Sequence, residues 1–573
     1  MNRFISIVKN SLYSLATFGV VTLLSTSSTA QVLPEYHNFA TDFTKTVNLN
    51  YLLYIPPDYV PSEAWPLILF LTGQEAVDDI NLIRDFGLPH AVETGMNFDY
   101  FIVAPQLPEG THWDPDALMA LTNEVINSYH IDNSFLHMTG IGDIGGWGAW
   151  ETAVSYPSTF SKIAPMGAPA CTEICRVGDP SIWIFHGELD DRVPVEDAEN
   201  MYYELDYYCS NDNLQLTVYD SLGHNVWDQA YLEDGFLQWL TGSEPTYGTN
   251  TAQPQILNFT ADITKPIDDD YLLYFPVDYG QTEHDWPLVI FLHGAGSAIT
   301  NIDDIRVTGP PWLFEHGMDS DFILLCPQLY ADVHWDPDRL YALMQEVISQ
   351  YSVDQSRIYL TGLSRGGFGT WEFGVSYPNL FAALVPIAAR DVPGVERLIN
   401  SNIWIFHGAL DNGVPWQGAQ FMYNRLSGVD ANVQLTLFAG VGHNSWDPAY
   451  NTDSLWTWLL LQQIDVVAVG ENELVSFQDS SLKNNYPNPA NPGTIIEWTI
   501  SDTDNGKHVK LEIFDILGKS VRSLINKEQY SGNYTVNWDG RNDAGLTVPA
   551  GAYIYRLQVD GEIIDSRKIL LVK

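Results

Sequence analysis

The sequence predicts two tandem, doubly wound α/β domains with mostly parallel sheets, followed by a small antiparallel β-sandwich. Three observations carry this expectation. First, the chain repeats itself with a period of about 220 residues. Tyr-Leu-Leu-Tyr at 51–54 recurs at 271–274, and Trp-Pro-Leu at 65–67 recurs at 286–288. His-Trp-Asp-Pro-Asp at 112–116 recurs at 334–338, and Ile-Trp-Ile-Phe-His-Gly at 182–187 recurs at 403–408. So long a period is a duplicated domain, not a solenoid unit. Second, each copy alternates short apolar runs with amphipathic stretches. Third, the charge changes abruptly near residue 480.

In the second copy the apolar runs are 288–292, 322–326, 358–361, 403–407 and 434–438. Most are apolar throughout, as strands covered on both faces must be. Between them lie helix-like stretches at 338–351, 369–377, 417–426 and 453–461. Beyond residue 483 the pattern changes to short strand-like runs at 495–500, 509–515, 534–539, 552–559 and 568–572, separated by turn-rich pieces such as 539–545. That pattern reads as an antiparallel sandwich. The expected divisions are a signal peptide at 1–30, a first copy at 31–245, a second at 250–465, a polar linker at 466–482 and the sandwich at 483–573.

The formal net charge is −46. Residues 483–573 hold 11 basic and 11 acidic side chains, so residues 1–482 carry all of it. Such acidity repels phosphate backbones and anionic lipid, which argues against nucleic acid as a partner. At the N-terminus, Arg3 and Lys9 precede an apolar run at 12–24, and small residues Ser28, Thr29 and Ala30 precede Gln31. This reads as a secretory signal; its core is shorter than the ~20 residues a membrane span needs. No later stretch is long enough, so stable membrane insertion is not expected. Export permits a disulfide, with Cys209 joined to Cys171 or to Cys175. The cysteine spacing makes no zinc site, and neither a metal nor an organic cofactor is expected.

The chemistry-bearing motif is Thr-Gly-Leu-Ser-Arg-Gly-Gly at 361–367, a G-x-S-x-G elbow around Ser364. A serine hydroxyl needs a base, an orienter for the base and donors for the developing oxyanion. Asp411, after the run 403–407, is the candidate acid; His443, after the run 434–438, is the candidate base. The backbone N–H groups of Arg365 and Ala295 are the candidate oxyanion donors. His293 and His407 end apolar strands before glycine and read as core histidines.

These residues resemble the esterase-and-peptidase branch of the α/β-hydrolases: the secreted polyhydroxybutyrate-depolymerase-like and feruloyl-esterase-like enzymes, often labelled prolyl-oligopeptidase-like. The resemblance rests on Leu-His-Gly-Ala-Gly at 292–296, Cys-Pro-Gln at 326–328, the elbow, His-Gly-Ala-Leu-Asp at 407–411 and Gly-His-Asn-Ser-Trp at 442–446. It implies a cofactor-free serine carboxylic-ester hydrolase acting on aryl, feruloyl, acetyl or polyester-type esters. A serine peptidase and a non-catalytic polymer-binding protein are the alternatives. Arg365 stands where methionine is expected. The tail resembles the C-terminal sorting domain of type IX secretion in Bacteroidetes-like bacteria, through Asn-Tyr-Pro-Asn-Pro-Ala-Asn-Pro at 485–492, Ile-Phe-Asp-Ile-Leu-Gly at 513–518 and Gly-Ala-Tyr-Ile-Tyr-Arg at 551–556. That implies export through a Gram-negative periplasm to the medium or cell surface, with the secretion machinery as partner.

In the first copy Asp190 aligns with Asp411 and His224 with His443. Thr-Gly-Ile-Gly-Asp-Ile-Gly-Gly at 139–146 carries one extra residue and no serine, so Gly142 or Asp143 takes the nucleophile position. Its oxyanion loop carries Glu75, whose charge would oppose a developing anion. This copy reads as a pseudoenzyme. Trp312 and Trp416 occur only in the second copy and, with Trp446 beside His443, are the candidate substrate-binding residues.

Overall fold

The computed structural model describes residues 33–464 and 480–571, apart from 74–75, 78, 108–111, 172, 243–245, 249–252, 282–283, 296–300, 319, 330–333, 430, 483–493, 501–506, 516–517, 530–531, 539 and 543–545. The signal at 1–30, most of the linker, Glu75 and Gly296 therefore lie outside the described residues. Residues 1–465 form one unit and residues 466–573 another.

The first copy supplies β1 (Glu35–Tyr54), β2 (Trp65–Leu71), β3 (Phe101–Pro105), β4 (Ile131–Ile141), β5 (Lys162–Met166), β6 (Ser181–Gly187) and β7 (Leu214–Tyr219). The second supplies β8 (Gln255–Tyr274), β9 (Trp286–Leu292), β10 (Ile323–Pro327), β11 (Val353–Leu363), β12 (Ala383–Ile387), β13 (Asn402–Gly408) and β14 (Asn432–Phe438). All fourteen lie in one sheet, ordered β14-β13-β12-β11-β9-β10-β8-β1-β3-β2-β4-β5-β6-β7. Within each copy the strands after the first run parallel to one another. β2, β3, β9 and β10 are almost wholly buried, which is why they read as continuous apolar runs.

The seam is the antiparallel pair β1·β8, in register from Glu35↔Leu273 to Leu53↔Gln255. Thr44 pairs with Thr264, its own repeat counterpart, and their hydroxyls are 2.9 Å apart. The seam is therefore a self-complementary contact of the kind that builds two-fold dimers, here within one chain. Neither strand was expected from the sequence, although Val47, Leu49 and Tyr51, and Leu257, Phe259, Ala261 and Ile263, alternate with polar residues as a half-covered strand does. Their outer face carries hydrogen-bonded pairs such as Asn38–Asp268 at 2.9 Å, Thr46–Asp262 at 2.7 Å and Asn258–Asn48 at 2.7 Å. Their inner face sets Lys45 at 2.7 Å from Asp114, and Lys265 at 2.9 Å from Asp336 and 2.8 Å from Asp338. Lys45 also reaches Asp338, and Lys265 reaches Asp116, so each lysine bridges the two copies.

Those aspartates belong to the recurring Asp-Pro-Asp, which starts the helices Pro115–Ser128 and Pro337–Gln350. Asp114 and Asp336 cap the first-turn N–H groups, and proline takes a position that needs no donor. The helix that follows Ser364 runs Arg365–Ser376, four residues longer at its start than the sequence suggested, because Gly366 and Gly367 are helical. The tail packs a three-stranded sheet (Ser481–Leu482, Thr494–Ile500, Gly532–Trp538) and a four-stranded one (Ser520–Gln529, Lys507–Asp515, Gly551–Val559, Glu562–Leu571) around one core that includes Trp498, Trp538 and Tyr555. The strand Ser520–Gln529 escaped notice because charged and polar residues dominate it.

Candidate active site

β11 passes into the helix Arg365–Ser376 through a single residue, Ser364, whose φ of 54° and ψ of −118° are strained for any side chain. The turn is this tight because the backbone crowds it. A Cβ on Gly366 would sit 1.9 Å from the Leu292 carbonyl oxygen, and one on Gly362 would sit 2.1 Å from that of Gly366. Ser364 N–H donates to Ile387 O at 2.9 Å, fixing the elbow to β12.

The carboxyl ends of β11, β13 and β14 bring three of the candidate residues together. His443 Nε2 is 2.9 Å from Ser364 Oγ, and His443 Nδ1 is 2.7 Å from Asp411 Oδ2. Asp411 Oδ1 accepts from the N–H groups of Gly413 and Val414, each at 2.9 Å. Burial opposes ionisation of Asp411. Hydrogen bonds from His407, His443 and Val414 N–H outweigh it and hold the carboxyl well below the usual carboxylate range. The arrangement can pass a proton from hydroxyl to imidazole and stabilise the imidazolium that results.

The loop after β9 runs against the nucleophile. A Cβ on Gly294 would lie 3.3 Å from Ser364 Cβ, and Ala295 follows it at the surface. Arg365 begins the helix, so its N–H is among the four N-terminal donors without an intrahelical partner. Trp446 meets the His443 ring edge-on, with centroids 5.3 Å apart. Trp312 is 41% exposed, stacks on His316 at 4.1 Å, and rides on the helix Gly309–Glu315, which packs against Trp446–Tyr450. Trp416 opens the helix Trp416–Gly428 after the acid loop and is half-buried, in no aromatic pair with the triad residues or with Trp312 and Trp446.

Two residues near the triad were missed or read differently from sequence. His407 is fully buried, as a core histidine should be, with Nε2 2.9 Å from Val414 O. That nitrogen also lies 3.3 Å from Asp411 Oδ2, so the residue braces the acid. Glu173, from the first copy, is 2.5 Å from the Arg365 guanidinium. Nothing in the sequence links those two positions. The neighbouring Cys175 is bonded to Cys209, with Cα atoms 5.0 Å apart, while Cys171 and Cys326 are buried free thiols.

The first copy keeps the histidine–aspartate pair: His224 Nδ1 is 2.8 Å from Asp190 Oδ2. Gly142 takes the positive-φ elbow position at 71°, and the extra residue puts the Asp143 side chain 3.9 Å from His224 Nε2. Arg192 donates to both Asp143 oxygens, at 3.0 and 2.9 Å, and Arg425 of the second copy stands 3.6 Å away. A cavity of about 740 Å³ lies between the copies, lined from both by residues such as Lys45, Trp147, Glu151, Lys265, Glu372 and Arg397; it does not reach the triad. No helix among the described residues is long and apolar enough to cross a membrane.

Residues 485–562 match the FlgD Ig-like domain family. Poly(3-hydroxyalkanoate) depolymerase C of Paucimonas lemoignei is 28% identical over 113 residues, which are 18% of this chain and 27% of that protein. The chain thus spans about a quarter of that relative's length. Among solved structures, a thermostable esterase is 25% identical with a TM-score of 0.31, covering 37% of this chain and 69% of its own. Est1E from Butyrivibrio proteoclasticus is 16% identical with a TM-score of 0.27, covering 34% and 94% respectively.

Proposed function

We propose that the chain is an exported serine carboxylic-ester hydrolase whose chemistry resides in the second copy. The observation that carries this reading is the hydrogen-bonded run Ser364–His443–Asp411, at 2.9 and 2.7 Å. Ser364 Oγ attacks the ester carbonyl as His443 takes its proton. Asp411 holds the imidazole tautomer and stabilises the imidazolium. The N–H groups of Arg365 and Ala295 receive the oxyanion, the alcohol leaves with the proton from His443, and water activated by His443 then releases the acid. No cofactor enters this chemistry.

The partial likeness to a polyester depolymerase favours esters over amides as substrates, with polyester, acetyl or feruloyl-type esters as the class to test. Trp312, Trp416 and Trp446 are the proposed substrate-binding residues. The first copy is a pseudoenzyme in this reading, because Arg192 occupies Asp143 and His224 Nε2 has no hydrogen-bond partner among the described residues. The tail, a separate unit, is proposed to engage type IX secretion machinery and deliver the enzyme outside the cell.

Fluorophosphonate labelling and a nitrophenyl ester panel test the core of this. Labelling at Ser364, and its loss together with turnover in Ser364→Ala, is expected. Hydrolysis that survives in Ser364→Ala refutes the assignment.

A further inference from the structure

The second copy's site does not consist of the second copy alone. Arg365, the residue after the nucleophile, is met by Glu173 of the first copy at 2.5 Å, with both side chains four-fifths buried. The Arg365 Nε–H is buried beside this pair and has no hydrogen-bond partner among the described residues. About a fifth of the Arg365 side chain stays open, one residue from Ser364, and a guanidinium held at one end by a carboxylate can there meet an oxygen acceptor on the substrate.

The way Glu173 is held separates it from an incidental surface pair. Its φ of 57° and ψ of 26° lie in the left-handed region. The repeat-equivalent residue in the second copy is Gly394, at φ 74°. Glycine takes this conformation at no steric cost, whereas a glutamate there is strained. The first copy therefore keeps a strained side chain where its sister uses the relaxed residue, and that side chain is the one aimed at Ser364's neighbour.

The clamp is equally one-sided. Cys175 and Cys209 form a disulfide beside Glu173, where the second copy has Glu396 and Asp430. Cys209 closes the turn Glu204–Tyr208, whose Glu204 in turn grips Arg390 of the second copy at 2.6 Å. In the first copy's own elbow the position of Arg365 is Ile144, so no reciprocal pair exists there.

We infer that the first copy completes the substrate site of the second: Glu173, fixed by the Cys175–Cys209 bond, neutralises Arg365 and forms with it a polar subsite beside Ser364 for an uncharged oxygen-bearing acyl group. This rests on the esterase reading and gives the degenerate copy a task within it. Without Glu173 the guanidinium is an uncompensated cation, and the subsite favours acyl chains that end in a carboxylate.

The test uses the full chain with two nitrophenyl esters of matched length, a neutral butyrate and an anionic hemisuccinate. The readout is the ratio of their kcat/KM values, which does not depend on how much of a variant is folded. In Glu173→Gln the hemisuccinate-to-butyrate ratio is expected to rise about tenfold, as removal of a facing charge at these distances implies. The double variant Cys175→Ser, Cys209→Ser should move it the same way by less, and Arg365→Met should abolish the effect of Glu173→Gln. A wild type that hydrolyses neither ester overturns the esterase reading and this inference with it. An active wild type whose ratio stays within about twofold in Glu173→Gln overturns this inference alone.

Discussion

Replacing Ser364 by glycine should abolish turnover and yet leave a protein more stable than the alanine variant. Both substitutions delete the hydroxyl and its 2.9 Å contact with His443, so they differ only in a Cβ held at φ 54°. A side chain in so sparsely populated a region costs about 1–3 kcal/mol. Glycine gives back roughly 0.4–1 kcal/mol of this through the greater freedom of its unfolded chain. The expected net gain of Ser364→Gly over Ser364→Ala is about 1–2 kcal/mol. The first copy has made this exchange already, with Gly142 at φ 71° in its own elbow. Urea unfolding followed by tryptophan fluorescence, at equal m-values, measures the difference. A Ser364→Gly midpoint at or below that of Ser364→Ala would show that the elbow stores no strain.

Three further outcomes are expected. Asp411→Asn should lower kcat by about 10⁴ with KM little changed, because an amide in place of the 2.7 Å carboxylate contact disfavours the working tautomer of His443; a loss below about tenfold would remove Asp411 from the mechanism. Gly366→Ala should cost about 3 kcal/mol or more, since its Cβ would overlap a backbone carbonyl that cannot turn aside; a stable, active variant would refute the packing account. Burial first, then the charge of Glu173, pushes the Glu372 carboxyl up to about 7, from an ordinary 4.5. A raised folded pKa gives stability that is full below about pH 4.5 and lost as pH rises through about 7. Glu372→Gln should therefore recover about 2 kcal/mol at pH 8 and flatten the profile between pH 5 and 8, the value reduced because Glu372 lines a cavity. An unchanged profile would mean that Glu372 stays ionised in the fold.

Local order in the sequence settles the strand-and-helix content of each copy. A run such as 288–292 is apolar at every position, as a strand covered on both faces must be. Asp-Pro-Asp before an amphipathic stretch can only start a helix. The chain also records, in Ser364 and its missing counterpart in the first copy, which half retains the elbow serine. Since Ser364, Asp411 and His443 each follow a strand of one parallel sheet, topology alone carries them to the same edge.

What the tertiary structure alone decided is everything that joins one copy to the other. β1 and β8 are polar on one face, and on the other Lys45 and Lys265 interrupt the alternating apolar residues. They become strands because each completes its twin across Thr44 and Thr264, and because Lys45 and Lys265 find aspartates from both copies. The meeting of Glu173 with Arg365 follows from that seam, as does the role of the disulfide beside it. Periodicity reports what a residue does within its own element. A contact between side chains 192 positions apart depends on how the two copies are joined, and only the assembled fold holds that information.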